Sequence, residues 1–279
     1  RHDRPTNKGD AAGTSLALLP FLGAGQTHEY GKYKETVAKG LAWLLKNQKP
    51  DGDLRANFPG QAGMYAHGQA AIVLCEAYAM TGDQQFRTPA QKSVEFIQRA
   101  QHIKGGWRYR PGEAGDTSVL GWQLMAIQSA RAPNLGLEID DDTLRLAGLY
   151  LSDAAWKSRQ QGVPTGALYN YQPRQGKPTP AMTAEALLCR IYLGWDRNDP
   201  RVMVGVRWLV DEHLPSYDDK NLYYWYYGTQ LMHHYGGSLW DRWNRQVREI
   251  LVATQDKKSA NAGSWNPADF QWGSRGGRI

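Results

Sequence analysis

Few side chains in this sequence have both the type and the spacing that chemistry needs. Asp116 and Glu113 lie in Glu113-Ala114-Gly115-Asp116-Thr117-Ser118, directly before an uncharged helical stretch. An acid held protonated there beside an apolar cavity can donate a proton, whereas an acid preceding a helix caps its free N–H groups. Asp10 stands in the matching column before Ala11, which favours capping for both. The run Glu138-Ile139-Asp140-Asp141 opens an amphipathic helix, where negative charge complements the helix dipole. Glu185 shares its column with Ser15, Ala71, Gly121 and Gly228. A lone carboxyl among small residues invites a shifted acidity, unless it reaches Arg190 roughly one turn away.

Metal and nucleophile chemistry find little support. Cys75 and Cys189 share a column with Leu19, Met125 and Met232 and read as small packing residues, so no zinc-thiolate site and no other metal site is expected. His233 and His234 are adjacent and point ~100° apart on a helix, too far for one ion. No phosphate-binding loop, dinucleotide fingerprint or nucleophile elbow occurs, and no cofactor is expected.

These residues must be positioned by helices, and the helices repeat. An aromatic or aliphatic residue, then Leu or Ile, three residues and Gln recur in Trp43-Leu44 to Gln48, Phe96-Ile97 to Gln101 and Ile250-Leu251 to Gln255. A glycine turn and a large residue follow: Gly52 with Leu54, Gly105 with Trp107, Gly263 with Trp265. A second helix type, nearly uncharged, follows each turn and stops near Gly23, Gly82, Gly194 or Gly236, residues suited to left-handed C-caps. The period is about fifty residues and no strand alternation competes with it. The prediction is five helix pairs, all α, with charged outer and uncharged inner helices closing into an α/α toroid or stacking as an open solenoid.

Aligning the inner helices at 100° per residue puts their variable columns toward a central cavity. The second and third inner helices then present Gln69, Glu76, Trp122 and Gln123, and the fourth and fifth present Thr183, Arg190, Tyr226, Gln230 and His233. Glu76, Arg190 and His233 fall in one column and are expected to form a polar ring. Most of the run Tyr223 to Tyr227 is assigned to packing, with one or two rings reaching the pocket.

Composition sets the frame. The chain has 279 residues, 41% hydrophobic and 22% charged, enough for an unaided core. There are 11 Trp and 15 Tyr against 5 Phe, with 30 Gly, which suggests polar-tipped rings stacked over tight turns. A net charge of +6 is too mild and too scattered for a nucleic-acid footprint, and no apolar run approaches the ~20 residues of a membrane span.

The phrases Lys39-Gly40-x2-Trp43-Leu44-x3-Gln48-x3-Gly52 and Phe96-Ile97-x3-Gln101-x3-Gly105-x-Trp107 resemble the QW repeats of squalene-hopene and oxidosqualene cyclases, whose toroid protein prenyltransferases share. The resemblance spans roughly residues 14 to 279. It implies a single toroid domain over 1–279, short by one outer helix upstream and one inner helix downstream. It also implies an Asp-x-Asp-Asp acid, but the proton-donor position here is Gly115, with Glu113 a conceivable deputy. The structural residues implied are Trp43, Gln48, Gln101, Trp107, Gln255 and Trp265, each Gln bonding unpaired backbone at a neighbouring helix end under the cover of a Trp. The expectation is a cyclase-like toroid without its acid, a binding or interaction module whose polar central pocket takes a small amphipathic ligand or peptide. The alternative is an isoprenoid-modifying enzyme using Glu113 or Asp116. A carbohydrate-processing enzyme using Glu76, Glu185 and His233 ranks third.

Overall fold

The computed structural model describes residues 9–56, 63–158, 161–271 and 273. Among them are ten α-helices, with isolated β-bridges and no strand. The uncharged type supplies α1 (Asp10–Gly23), α3 (Gly63–Thr81), α5 (Thr117–Ala130), α7 (Pro180–Tyr192) and α9 (Leu222–Tyr235). The charged type supplies α2 (Lys34–Asn47), α4 (Arg87–Ala100), α6 (Asp141–Ala154), α8 (Pro200–Glu212) and α10 (Gly237–Thr254). Burial follows the charge pattern in α3, α5 and α7, whereas α1 buries only Ala11, Ser15, Leu18 and Leu22. On α5, with no charged residue, nearly every side chain is buried, whereas α4 buries the helical stripe Ala90, Ser93, Val94, Ile97 and Ala100 and presents its charges outward.

The chain divides into two compact units, Gly9–Leu151 and a second beginning at Ser152. In the first, α1, α3 and α5 pack side by side, and α2 and α4 lie against them. Its core gathers Leu18, Leu22, Val37, Leu41, Leu44, Leu54 and Leu74 from both helix types. In the second, α7 packs on α9, and α8 and α10 lie against these two and each other. No helix among the described residues is long and apolar enough to cross a membrane.

Helix starts are set by side-chain caps. Asp116 Oδ1 accepts from Val119 N at 2.7 Å before α5, Thr179 Oγ1 from Met182 N at 3.2 Å before α7, and Asn221 Oδ1 from Tyr224 N at 3.0 Å before α9. Asp10 departs from this scheme: it is the first residue of α1, and Gly9 precedes it without a side-chain cap. At the other ends Gly82, Gly194 and Gly236 take positive φ, but Gly23 closes α1 itself and Gly25 makes the left-handed turn.

The repeated Gln and Trp form clasps whose donors and acceptors differ from the expected scheme. Gln48 Nε2 donates to Pro89 O at 2.9 Å and Gln101 Nε2 to Thr143 O at 3.0 Å, both carbonyls in the first turn of the next outer helix. First-turn carbonyls already accept intrahelical bonds, so each glutamine occupies a second lone pair. The indole is itself a donor: Trp107 Nε1 bonds Ile97 O at 2.7 Å and Trp265 Nε1 bonds Leu251 O at 2.9 Å, in the last turns of α4 and α10. Gln255 makes only the local bond of the set, to Gly263 O at 2.8 Å, and Trp43 is half-buried against the core of the first unit.

Candidate functional site

In the second unit α7 and α9 bring a carboxyl and several phenols together. Glu185, in the second turn of α7, has no solvent exposure, and its Oε2 accepts a hydrogen bond from Tyr223 OH at 2.9 Å. Tyr223 and Tyr226, three residues apart on α9, share one helix face, and both rings lie against Tyr227, at centroid distances of 5.1 and 5.3 Å. Asn221 fixes this register by capping α9. Burial pushes the Tyr226 phenol up to about 12, and the Glu185 carboxylate adds to the shift. Burial also holds the Tyr227 phenol well above its ordinary range, again with Glu185 contributing. Gln230 Nε2 donates to Tyr226 O at 3.5 Å along the same helix. A carboxyl enclosed by phenols has the setting of an acid or base shielded from bulk water.

Glu185 thus pairs with Tyr223, a member of the run from which the sequence expected one or two rings to reach the pocket. Its signal was present: Tyr223 and Tyr226 sit three apart in a run whose other rings, Tyr224, Trp225 and Tyr227, are buried. Arg190 takes other partners. Its Nε donates to Tyr169 OH at 3.1 Å, its Nη2 to Ser152 Oγ at 2.9 Å, and its guanidinium lies 4.6 Å from the Trp195 ring. His233 is exposed in the last turn of α9 with its ring edge-on to Trp240 at 5.1 Å, and Glu76 is half-buried on α3 in the first unit. Arg190 is satisfied by the turn before α7 and the end of α6, and α10 takes up His233. Thr183 is likewise occupied, its Oγ1 accepting from Tyr169 N at 3.1 Å.

In the first unit Asp116 is fully buried, capping α5 with Oδ1 while Oδ2 lies 3.5 Å from Arg108 Nε. Both oxygens face donors, an arrangement that suits a carboxylate and not a proton donor. Glu113 Oε2 accepts from Arg110 N at 3.1 Å, a turn contact. Gly115 has no room for an acid: a Cβ there would sit 2.5 Å from Gly106 Cα, where Trp107 and Asp116 form an isolated antiparallel bridge across the turn. Gln123 Nε2 donates to Met64 O at 2.9 Å, so this side chain is aimed at α3. The Oε1 atoms of buried Gln69 and Gln123 have no hydrogen-bond partner, and Trp122, next to Gln123 in sequence, is buried. Cys75 and Cys189 are free and fully buried, with burial raising both thiol pKa values.

No family model matches the chain, and no curated protein matches it significantly. Solved structures do. An inactive double-aspartate variant of the α-1,6-mannanase GH76A of Salegentibacter sp. HEL1_6, in complex with α-1,6-mannotetrose, matches with a TM-score of 0.60 at 13% identity, over 96% of this chain and 83% of that one. A variant of the same enzyme with α-1,6-mannotriose gives a TM-score of 0.59 at 12% identity over 91% and 80%. An α-amylase from Clostridium perfringens gives 0.65 at 10% identity over 95% and 84%. The fold class is therefore the all-α toroid, as the helix pairing predicts. The resemblance to squalene-hopene cyclases and prenyltransferases is corrected: the similar structures are glycoside hydrolases. With it falls the reading as an acid-less cyclase-like binding module or an isoprenoid enzyme. The physical reason is that the Gln-Trp phrase makes helix-end clasps, which report how helices are joined and carry no reaction.

Proposed function

We propose that this protein is a carbohydrate-active enzyme, a glycoside hydrolase acting on an α-linked oligosaccharide, with Glu185 as its acid. The observation that carries this reading is the fully buried Glu185 carboxyl hydrogen-bonded by Tyr223 and flanked by the phenols of Tyr226 and Tyr227. Hydrolysis of a glycosidic bond asks for an acid shielded from water, and tyrosines supply ring faces and hydroxyls that suit sugars. The fold likeness to a mannanase inactivated at two neighbouring aspartates, bound to a mannose oligomer, supports the same class.

The test is release of reducing ends from α-1,6-mannan and from starch. The expected outcome is turnover of one of them, reduced at least ~100-fold in Glu185→Gln with helical circular dichroism unchanged. No turnover and no retention of either glycan by the wild-type chain overturns the reading.

A further inference from the structure

We infer that the first unit holds a divalent transition-metal site of the zinc type, formed by His28 Nε2, Glu29 Oε1 and Asp83 Oδ2. His28 and Glu29 stand in the connection from α1 to α2, and Asp83 follows α3, so the three donors come from two segments that meet at one end of the unit. His28 Nε2 lies 3.0 Å from Asp83 Oδ2 and 3.7 Å from Glu29 Oε1, and all three ligand atoms fall within 4.8 Å of one another. A tetrahedral zinc ion with bonds of about 2.1 Å spaces its ligand atoms about 3.4 Å apart, a value the two histidine distances bracket. One imidazole and two carboxylates is a donor set of borderline hardness, suited to zinc and poorly suited to an all-oxygen ion such as calcium.

The donors are held in place before any ion arrives. The His28 side chain is only 12% exposed, and its ring meets Phe86 edge-on at 5.0 Å. Thr27 Oγ1 accepts from Glu29 N at 3.2 Å and from Tyr30 N at 3.0 Å, which fixes the backbone that presents His28 and Glu29. Asp83 Oδ1 accepts from Gln85 N at 3.0 Å, which orients Oδ2 toward the imidazole; the exposed Gln85 amide also reaches Oδ2. His28 Nδ1 makes no hydrogen bond among the described residues. Among the described residues no lysine or arginine pairs with Glu29 or Asp83, and the two negative charges lack a fixed cation. Glu29 is on the open side of the cluster, leaving the fourth position to water. The ion would tie the α1–α2 connection to the end of α3.

Chelator-treated protein titrated with zinc against a chromogenic chelator tests this. The expected result is one zinc per chain, bound at least ~10-fold more weakly by His28→Ala and by Glu29→Gln and unchanged in His233→Ala. At zinc ~100-fold above the wild-type Kd, melting rises by about 5 °C in the wild type and by about half of that or less in these two variants. Glu29 is exposed, so Glu29→Gln keeps the fold if His28→Ala does not. The inference is overturned if the wild type takes up no zinc at up to ~100 µM, or if an equivalent binds as tightly in His28→Ala or folded Glu29→Gln.

Discussion

Inside the first unit His67 can exist in one charge state only. It is fully buried on α3, its Nδ1 accepts from Leu54 N at 3.1 Å, and its Nε2 donates to Ser93 O at 3.0 Å. Only the neutral tautomer with its proton on Nε2 makes both bonds, since a second proton on Nδ1 would face the Leu54 N–H. Burial accordingly lowers the pKa from 6.5 to about 4. The unfolded chain binds this proton more readily than the folded one. The stabilisation is therefore complete above pH 6.5, falls as pH drops from 6.5, and is gone near pH 4, a loss on the order of 3 kcal/mol. Urea unfolding at pH 7 and at pH 4.5 checks this: the difference between the two is expected to be smaller in His67→Gln by about 2 kcal/mol, and equal differences in both proteins would remove His67 as the cause. Glu185, likewise fully buried on a helix, differs in having a phenol donor and aromatic neighbours, which is why the reaction is assigned to it.

The helix ends carry the repeat. Gln101 joins Gly105 O to Thr143 O, each at 3.0 Å, and Trp107 closes the last turn of α4 from a position 1% exposed. Gln101→Ala is expected to cost about 1–2 kcal/mol and Trp107→Ala about 3–5 kcal/mol in denaturant unfolding, with Gln255→Ala below either because its bond is local and exposed. The repeat glycines rank in the same way. Gly105 has φ +87°, and a Cβ there would lie 1.9 Å from Leu146 O, whereas Gly263 has φ +92° with nothing within 4 Å. Alanine at Gly105 is expected to cost about 2–4 kcal/mol through strain and overlap, and at Gly263 about 1 kcal/mol through strain alone. Equal melting temperatures for the two variants would show that α6 yields to the added methyl group.

Over the whole molecule the net charge of +6 gives a way to separate specific from unspecific glycan binding. A neutral mannan or glucan releases no counterions, so its retention is expected to change less than ~2-fold between 50 and 500 mM salt, measured by affinity electrophoresis or calorimetry, whereas adhesion driven by basic residues falls steeply with salt.

The sequence determined the helices because their information is local. Apolar spacing and charge separated inner from outer helices, Asp116 announced the start of α5, and the Gln-to-Gly phrases located the clasps. Tertiary structure decided which polar groups meet. Rotation about one helix axis placed Arg190, Glu76 and His233 in one column, yet Arg190 is claimed by Tyr169 and Ser152 and His233 is exposed beside Trp240. Glu185 stood out as a carboxyl in a column of small residues, but its bond to Tyr223 joins residues 38 apart in sequence. His28 and Asp83 meet across 55 residues. Side-chain pairing over such distances depends on how helices pack and turns close, which no periodicity along the chain encodes.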